Sequence, residues 1–526
     1  MFNIQNYSTQ NIKNDILSGA LVAVALVPEA IAFSFIAGVS PVVGLYGAFI
    51  IGLITALIGG KPGMISGATG SVAVVFVGLG LSVKNMYPDL DTEALSMMVL
   101  HYILLTSIIA GLIQIAIGVL KMGKFIRLVP QPALFGFVNG LAIVIAMAQL
   151  PFLAPSNMAQ YSSWIDIIKA SFTEHYIMYI IIIFTMLTMQ FLPKFSKAVP
   201  AGLVAIILVT LVVYFGGIET KTVGSLADLS NVSFPSFVMP YGELFTWESM
   251  KIILPVAVIV ALVGLIESLL TLSVLDEMGG KRGSGNKECI ALGVGNSTSG
   301  LFGGMAGCAM IGQSVINFTS GGLGRLSSFT AAVLLIILVV SFSDVIAAIP
   351  VAVLVGIMFM VSIGTFEFSS LSRIKYMPRP DAFVLVVVTI ITVLEDLAVA
   401  VIAGIIISAL VFAWEHAKIF AKIKEESSKK IYELDGPLFF ASVTSFNEKF
   451  DVENDPDEVV IDFKNARVMD SSGAEAIDAL TEKYKKVGKK LTLRHLSEDC
   501  KRLLKSAGPF CTYEEDDPTY KVASNI

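Results

Sequence analysis

Residues 15 to 415 form a succession of apolar runs, most of them long enough to cross a bilayer. This constrains the chain more than any motif does. In hydrocarbon every backbone N–H and C=O must find a partner inside the protein, so such runs fold as helices. They fall at 15–38, 42–59, 64–81, 97–119, 130–150, 175–192, 198–216, 250–275, 288–303, 306–318, 328–341, 345–363, 381–393 and 395–415. That makes fourteen segments. Three of them, 64–81, 288–303 and 306–318, are short and interrupted by Gly, Ser and Thr, so part of their backbone is expected to be unwound or to line a cavity.

The charge distribution sets the domain boundary. Charged residues are 15% of the chain, against about 25% in a typical soluble protein. Half of them lie after residue 415, in a fifth of the length. The expected organisation is a transmembrane domain over 1–415, a linker at 416–430 and a soluble domain over 431–526. The net charge of −6 divides evenly between the two parts, and neither has the basic surplus of a nucleic-acid binder. Cys289, Cys308, Cys500 and Cys511 lack metal-site spacing, so no structural metal or disulfide framework is expected. The opening MFNIQNYSTQNIKND has no basic stretch leading into a short apolar run; the first apolar run is expected to be the first span, not a cleaved signal.

An even number of spans puts both ends on one side of the bilayer. On this layout fourteen Lys and Arg of the loops, from Lys13 to Arg379, fall on that side, and four (Lys84, Lys169, Lys221 and Lys251) on the other. The bias places both ends and the soluble domain in the cytoplasm, and the chain in the cell's inner (plasma) membrane.

The two sets of seven echo each other. Each carries a lone acid in its first segment, Glu29 or Glu267, then a Gly-Gly pair at 59–60 or 303–304. A run of small residues follows, SGATGSVA at 66–73 and AGCAMIGQS at 306–314. In the fifth segment of each, a proline precedes a glycine by six residues, Pro130 to Gly136 and Pro350 to Gly356. An odd number of spans per unit makes successive units point in opposite directions. The echo therefore predicts an inverted repeat, about 15–216 and 250–415, whose broken helices meet near the midplane.

In that geometry the third and tenth segments aim their helix N-termini at a common cavity. Each N-terminus offers unpaired N–H groups and about half a positive charge, so the pair makes an anion site without a cationic side chain. Thr69, Gly70 and Ser71, and Ala309, Met310 and Ile311, are the residues expected there. Small residues also serve close helix packing, but packing does not explain two carboxylates in apolar segments. An acid in the bilayer is paired, protonated or bound to a cation. Thr271 lies one turn beyond Glu267, and a carboxylate with a hydroxyl at that spacing is a partial Na⁺ site; a protonated Glu267 carrying H⁺ fits the sequence equally. Glu29 follows Pro28, whose ring weakens the local helix, and fits a proton relay, the same coupling ion or the substrate path.

Several stretches resemble the SulP/solute carrier 26 family of anion transporters: VPEAIAFSFIAGVSPVVGLYGAFIIGLITALIGGKPGMISGATGSVAVV at 27–75, VPQPALFGFVNG at 129–140 and VGNSTSGLFGGMAGCAMIGQSVINFTSGGLGRLS at 294–327. VVIDFKNARVMDSSGAEAI at 459–477 resembles the core of a STAS domain. The resemblance implies a polytopic α-helical fold of fourteen segments in a seven-plus-seven inverted repeat, with a cytoplasmic α/β STAS domain. Segments 1–4 and 8–11 would form a mobile core, and the others a gate that carries homodimer contacts. The anion would lie near Glu29, Phe33, Thr69, Gly70, Ser71, Ala309, Met310 and Ile311. Na⁺-coupled bicarbonate members have an aspartate and, four residues on, a threonine in the eighth helix; Glu267 and Thr271 occupy those places. Their tenth-helix threonine is Ile311 here, which weakens a Na⁺ site. Some bacterial members carry a glutamate after the first-helix proline, linked to proton coupling, and Glu29 matches it, which favours H⁺ over Na⁺ and over exchange. Many members place a basic residue early in the tenth helix, where this chain has Gln313.

In the soluble domain PLFFAS (437–442), EVVIDF (458–463) and KKLTLRHL (489–496) read as strands, and SGAEAIDALTEKYKKV (472–487) as an amphipathic helix. At Asp470-Ser471-Ser472-Gly473, one of the serines is expected to cap that helix. In stand-alone STAS proteins the serine matching Ser471 is phosphorylated, which makes it a candidate regulatory site. His495 reads as a surface residue. The leading expectation is secondary transport of a small anion, sulfate first, with bicarbonate and C4-dicarboxylates as alternatives. A nucleobase transporter of related architecture and a membrane-anchored STAS scaffold that binds a cytosolic protein are the rivals. No nucleophile–base pair or cofactor motif marks an enzyme.

Overall fold

A computed structural model of the chain describes residues 9–123, 131–155, 163–195, 201–226, 233–239, 246–394, 417–426 and 429–513, with Leu244 and short pieces of 403–414. The chain divides into two compact units, Met1–Ile405 and Ile406–Ile526.

The first unit opens with α1 (Thr9–Ile36), α2 (Pro41–Ile58), the short strand β1 (Ser66–Ala68), α3 (Gly70–Met86) and α4 (Thr92–Val119). It continues through α5 (Gln131–Met147), α6 (Leu150–Leu153), α7 (Trp164–Glu174), α8 (Tyr176–Phe195), α9 (Ala201–Gly216) and α10 (Val223–Leu226). Then come α11 (Trp247–Gly279), α12 (Gly285–Leu301), β2 (Gly307–Ala309), α13 (Ile311–Thr319) and α14 (Arg325–Ser341). The last are α15 (Ser343–Ala347), α16 (Val351–Thr365), α17 (Phe368–Arg373) and α18 (Arg379–Leu394). Thirteen of the expected segments lie on these elements; the fourteenth, 395–415, falls largely outside the described residues, as do Lys124, Arg127, Pro130 and Lys197. By length and composition seven helices among the described residues can cross a membrane.

Local chemistry fixes the helix ends. Pro41 starts α2, where its missing N–H costs nothing. Asp91 caps α4 by accepting from the Ala94 amide at 2.7 Å, and Thr246 caps α11 through the Ser249 amide at 3.3 Å. On α8, Met178, Ile181, Ile182 and Thr185 are buried while Ile180, Ile183, Phe184, Leu187 and Phe191 are exposed. A face so apolar and so large belongs in hydrocarbon.

Segment 288–303 corrects the expectation of a broken helix: it lies in the continuous α12. Its small residues serve close packing instead. A Cβ on Gly293 would lie 2.5 Å from the carbonyl oxygen of Gly111 on α4, so the two helices cross backbone against backbone. The other two interrupted segments do break. Each runs as three extended residues and then a helix, and the extended pieces pair antiparallel, with Gly67 opposite Cys308.

The second unit is a four-stranded sheet, β3 (Phe420–Glu426), β4 (Lys429–Leu438), β5 (Glu458–Val468) and β6 (Lys490–Arg494), in that spatial order. β3 and β4 are antiparallel; β4, β5 and β6 are parallel. Helices Val443–Asn447, Ser471–Lys486 and Glu498–Ala507 complete it, over a core that includes Tyr432, Phe463, Ile477, Tyr484 and Leu493. Two expectations are corrected here. Segment 416–430 is not simply a linker, because it holds β3; the charges that suggested solvent are cross-strand partners, Lys424 with Glu433 among them. Segment 437–442 is strand only to Leu438. Beyond it the chain turns, and Ser442 Oγ accepts from the Phe439 amide at 2.9 Å.

Candidate functional site

The β1–β2 pair is the point on which the first unit's polar side chains converge. β1 runs into α3 through Thr69, and β2 runs into α13 through Met310. Because the strands are antiparallel and three residues long, the two helix starts lie at opposite ends of the seam. The first bonds within the helices are Ala73 N–H to Thr69 O and Ser314 N–H to Met310 O. The N–H groups of residues 70–72 and 311–313 therefore have no partner within their own helices.

The seam is stitched from both halves. Ser314 on α13 accepts from the Ile65 amide at 2.9 Å, and Ser328 on α14 donates to the Met64 carbonyl at 2.9 Å. In return Ser107 on α4 accepts from the Ala306 amide at 2.9 Å. Asn296 accepts from the Gly307 amide at 2.9 Å, donates to the Gly307 carbonyl at 3.1 Å, and is itself held by Gln114 at 2.9 Å. These neutral side chains satisfy strand edges that hydrocarbon could not. Sequence reading missed them; the small-residue runs hid their partners in distant segments.

Thr69, Ser71 and Glu267 are brought together, and Cys308 joins them. Glu267 Oε2 accepts from the Ser71 hydroxyl and from the Cys308 thiol, the latter at 2.8 Å. Thr69 Oγ1 lies 3.1 Å from both Ser71 Oγ and Cys308 Sγ. Phe33 packs on the start of α3: a Cβ on Gly70 would lie 2.9 Å from its ring. Glu29, half-buried on α1, accepts from the Gln313 side-chain amide. Every partner named for the two acids is neutral.

Three expected ligands are placed differently. The Ala309 amide donates to Ser268 Oγ at 2.9 Å and the Met310 amide to Ile65 O at 2.9 Å, so neither N–H is open to an anion. The Thr271 hydroxyl donates to the Glu267 backbone carbonyl at 2.8 Å, one turn back in its own helix, and not to the carboxylate. At the start of α13 the accessible residues are Ile311, 37% exposed, and Gly312, where an added Cβ would meet nothing within 4 Å.

In the second unit Asp470, not a serine, caps Ser471–Lys486: its carboxylate accepts from Gly473 N–H at 2.9 Å and Phe440 N–H at 2.8 Å. Ser471 is left exposed on the first turn. His495 is not simply on the surface, since its Nδ1 pairs with buried Asp462 at 2.8 Å beside Arg494 at 3.0 Å. Burial opposes that carboxylate, but His495, the Lys464 amide and Arg494 outweigh it and hold its pKa below the usual range.

Comparison with known proteins covers both units. A family described as the sulfate permease family matches residues 12–389, and the STAS domain matches 421–520. The Bacillus subtilis (strain 168) protein named "Putative sulfate transporter YbaR" is 40% identical over 94% of this chain and 97% of its own. The bicarbonate transporter BicA of Picosynechococcus is 31% identical over 72% of this chain and 66% of its own. The murine solute carrier 26 family member A9 anion transporter, in its inward-facing state, superposes with a TM-score of 0.79 over 96% of this chain and 89% of its own; at 19% identity that likeness concerns the fold.

Proposed function

The chain belongs to the sulfate permease family, as a multi-pass membrane protein with a STAS domain, and from that premise we propose that it is a secondary transporter of a small oxyanion, sulfate in the first place. The observation that carries the reading is the seam: two helix starts at the ends of one strand pair, with free first-turn amides and no cationic side chain among the contacts of Glu29 and Glu267. Preorganised N–H groups in a low-dielectric site bind a compact anion and release it when the site re-forms on the other side. The anion site proposed here consists of Phe33, Thr69, Gly70 and Ser71 on one side and Ile311 with Gly312 on the other, Ala309 and Met310 shaping its floor.

Coupling to H⁺ through Glu29 is part of the proposal, by alternating access of a core against a gate. The Gln313 side chain ties Glu29 to the first turn of α13, so a proton arriving there changes a contact of the anion site. Na⁺ coupling has less support, because the Ile311 side chain has no oxygen to offer a cation. Bicarbonate is a second substrate reading, favoured by the identity with BicA. A homodimer in the plasma membrane with both ends cytoplasmic, a cytosolic partner for the STAS domain and regulation at exposed Ser471 complete the proposal.

Proteoliposomes with pH and Na⁺ gradients imposed separately test it. Uptake of labelled sulfate that rises with external acid and ignores Na⁺ supports the reading. Strict Na⁺ dependence overturns H⁺ coupling, and uptake of uracil without uptake of sulfate, bicarbonate or fumarate overturns the anion assignment.

A further inference from the structure

The two helix starts at the seam are in different states. At α13, Ile311 is exposed and the space beside Gly312 is open. At α3 the start is closed, with Thr69 and Ser71 only 3% and 2% exposed. A carboxylate already sits there. Glu267 reaches across from α11, and one oxygen, Oε2, takes the Ser71 hydroxyl in the first turn of α3 and the Cys308 thiol of β2 together. Thr69 closes the ring, 3.1 Å from each of those donors. This is how a bound oxyanion would be held: one oxygen, a hydroxyl from a helix's first turn and a second donor from the opposite strand. A serine hydroxyl has one proton to donate, so Glu267 and a bound anion cannot both take it.

We propose that Glu267 is a tethered competitor of the transported anion, whose carboxylate occupies the start of α3 until the anion displaces it from Ser71. The inference rests on the seam being the anion site. A side chain anchored on α11 is always present at high effective concentration, so it lowers the anion's apparent affinity without blocking the site. That suits a transporter, which has to release its cargo as well as capture it. Displacement also frees the Glu267 carboxylate from Cys308, so anion arrival at α3 is felt at β2, on the other half of the seam.

Sulfate binding to the purified full chain in nanodiscs, by calorimetry at one fixed pH and salt concentration, tests the proposal; bicarbonate is titrated in parallel. Glu267→Ala should tighten sulfate binding on the order of tenfold or more, the size expected when a charge-assisted contact no longer has to be broken. Glu267→Gln, which keeps the volume and an acceptor atom but drops the charge, should fall between. The decisive arm is the double variant. In a Ser71→Ala background the gain from Glu267→Ala should shrink to a small residue, because the contested hydroxyl is gone. Unchanged or weaker sulfate affinity in both Glu267 variants, each with a melting temperature near that of the parent, overturns the proposal. So does a gain that Ser71→Ala leaves intact, and so does failure of every variant to bind either anion. Gly312→Phe separates this from the underlying reading: normal sulfate binding by that variant removes the seam as the site, whereas loss of binding with no Glu267 effect removes only the competitor.

Discussion

Gly307 and Gly312 lie five residues apart on the same strand-and-helix unit, and side chains added to them should have opposite effects. A Cβ on Gly307 would stand 1.9 Å from the Gly67 carbonyl oxygen and 2.6 Å from its carbon. Both are backbone atoms in the seam, so no rotamer change can give way; the strands have to part. Overpacking alone costs about 1–3 kcal/mol, and parting the strands also strains the Asn296 bonds to Gly307, so Gly307→Ala should lose about 3 kcal/mol or more. At Gly312 nothing lies within 4 Å. Replacing a helical glycine there should leave stability unchanged or raise it by up to ~1 kcal/mol. Gly312→Phe should therefore fold and yet fill the space in front of α13, reducing sulfate uptake on the order of a hundredfold, about the effect of losing two or three kcal/mol of binding. Thermal unfolding in nanodiscs, read beside proteoliposome uptake, separates the two variants. Full uptake by a folded Gly312→Phe protein, or an unchanged melting temperature in Gly307→Ala, refutes the account of the seam.

Glu29→Gln should keep the Gln313 contact in part but lose the stimulation of uptake by external acid; an unaltered pH response of uptake argues for a structural role. A chain ending at residue 416 should bind sulfate like the full chain, whereas one ending at 430 should aggregate, because β3 would be left with an unpaired edge; size-exclusion profiles and calorimetry check both, and lost affinity in a monodisperse 1–416 protein counts against an independent transport unit. In the second unit the lowered Asp462 carboxyl contributes stability that is present above the unfolded value of about 3.9 and lost as pH falls through the lower folded value. Asp462→Asn should accordingly cost roughly 1–3 kcal/mol at pH 7 and flatten the acid limb of the unfolding curve measured for the full chain; an acid limb as steep as the parent's assigns that stability elsewhere.

The helices and the two breaks were legible because hydrocarbon leaves few alternatives: apolar runs coil, and runs of small residues such as SGATG and AGCAM mark where they stop. What was not legible is who holds the broken pieces. Spacing along one helix suggested Thr271 as the partner of Glu267, but a threonine in a helix readily turns back to the carbonyl four residues earlier, and this one does. The actual partners, Ser71 and Cys308, lie 196 and 41 residues away, distances at which periodicity carries no information. The same limit hid Ser268 and Ile65, which take the Ala309 and Met310 amides. In the soluble unit the helix over 472–487 followed from its amphipathic pattern, whereas β3 did not, because FAKIKEE is stabilised by backbone pairing and cross-strand charge with Phe420 and Ile423 exposed. Asp470 outcompeted the serines as cap because its carboxylate can serve two amides at once.

The stitching of the seam also dictates an order of assembly during synthesis. β1 is complete once residue 68 has been made, but its partner strand and the side chains of Ser314 and Ser328 that hold residues 64 and 65 belong to the second half. At 5–20 residues per second, the roughly 240 residues between them take on the order of ten to fifty seconds to translate. For that interval the nascent first half has exposed N–H and C=O groups in the middle of its third segment, which cannot settle in lipid alone. The segment has to wait at the membrane surface, or in the water-filled interior of the insertion machinery, until residues 306–314 emerge to receive it.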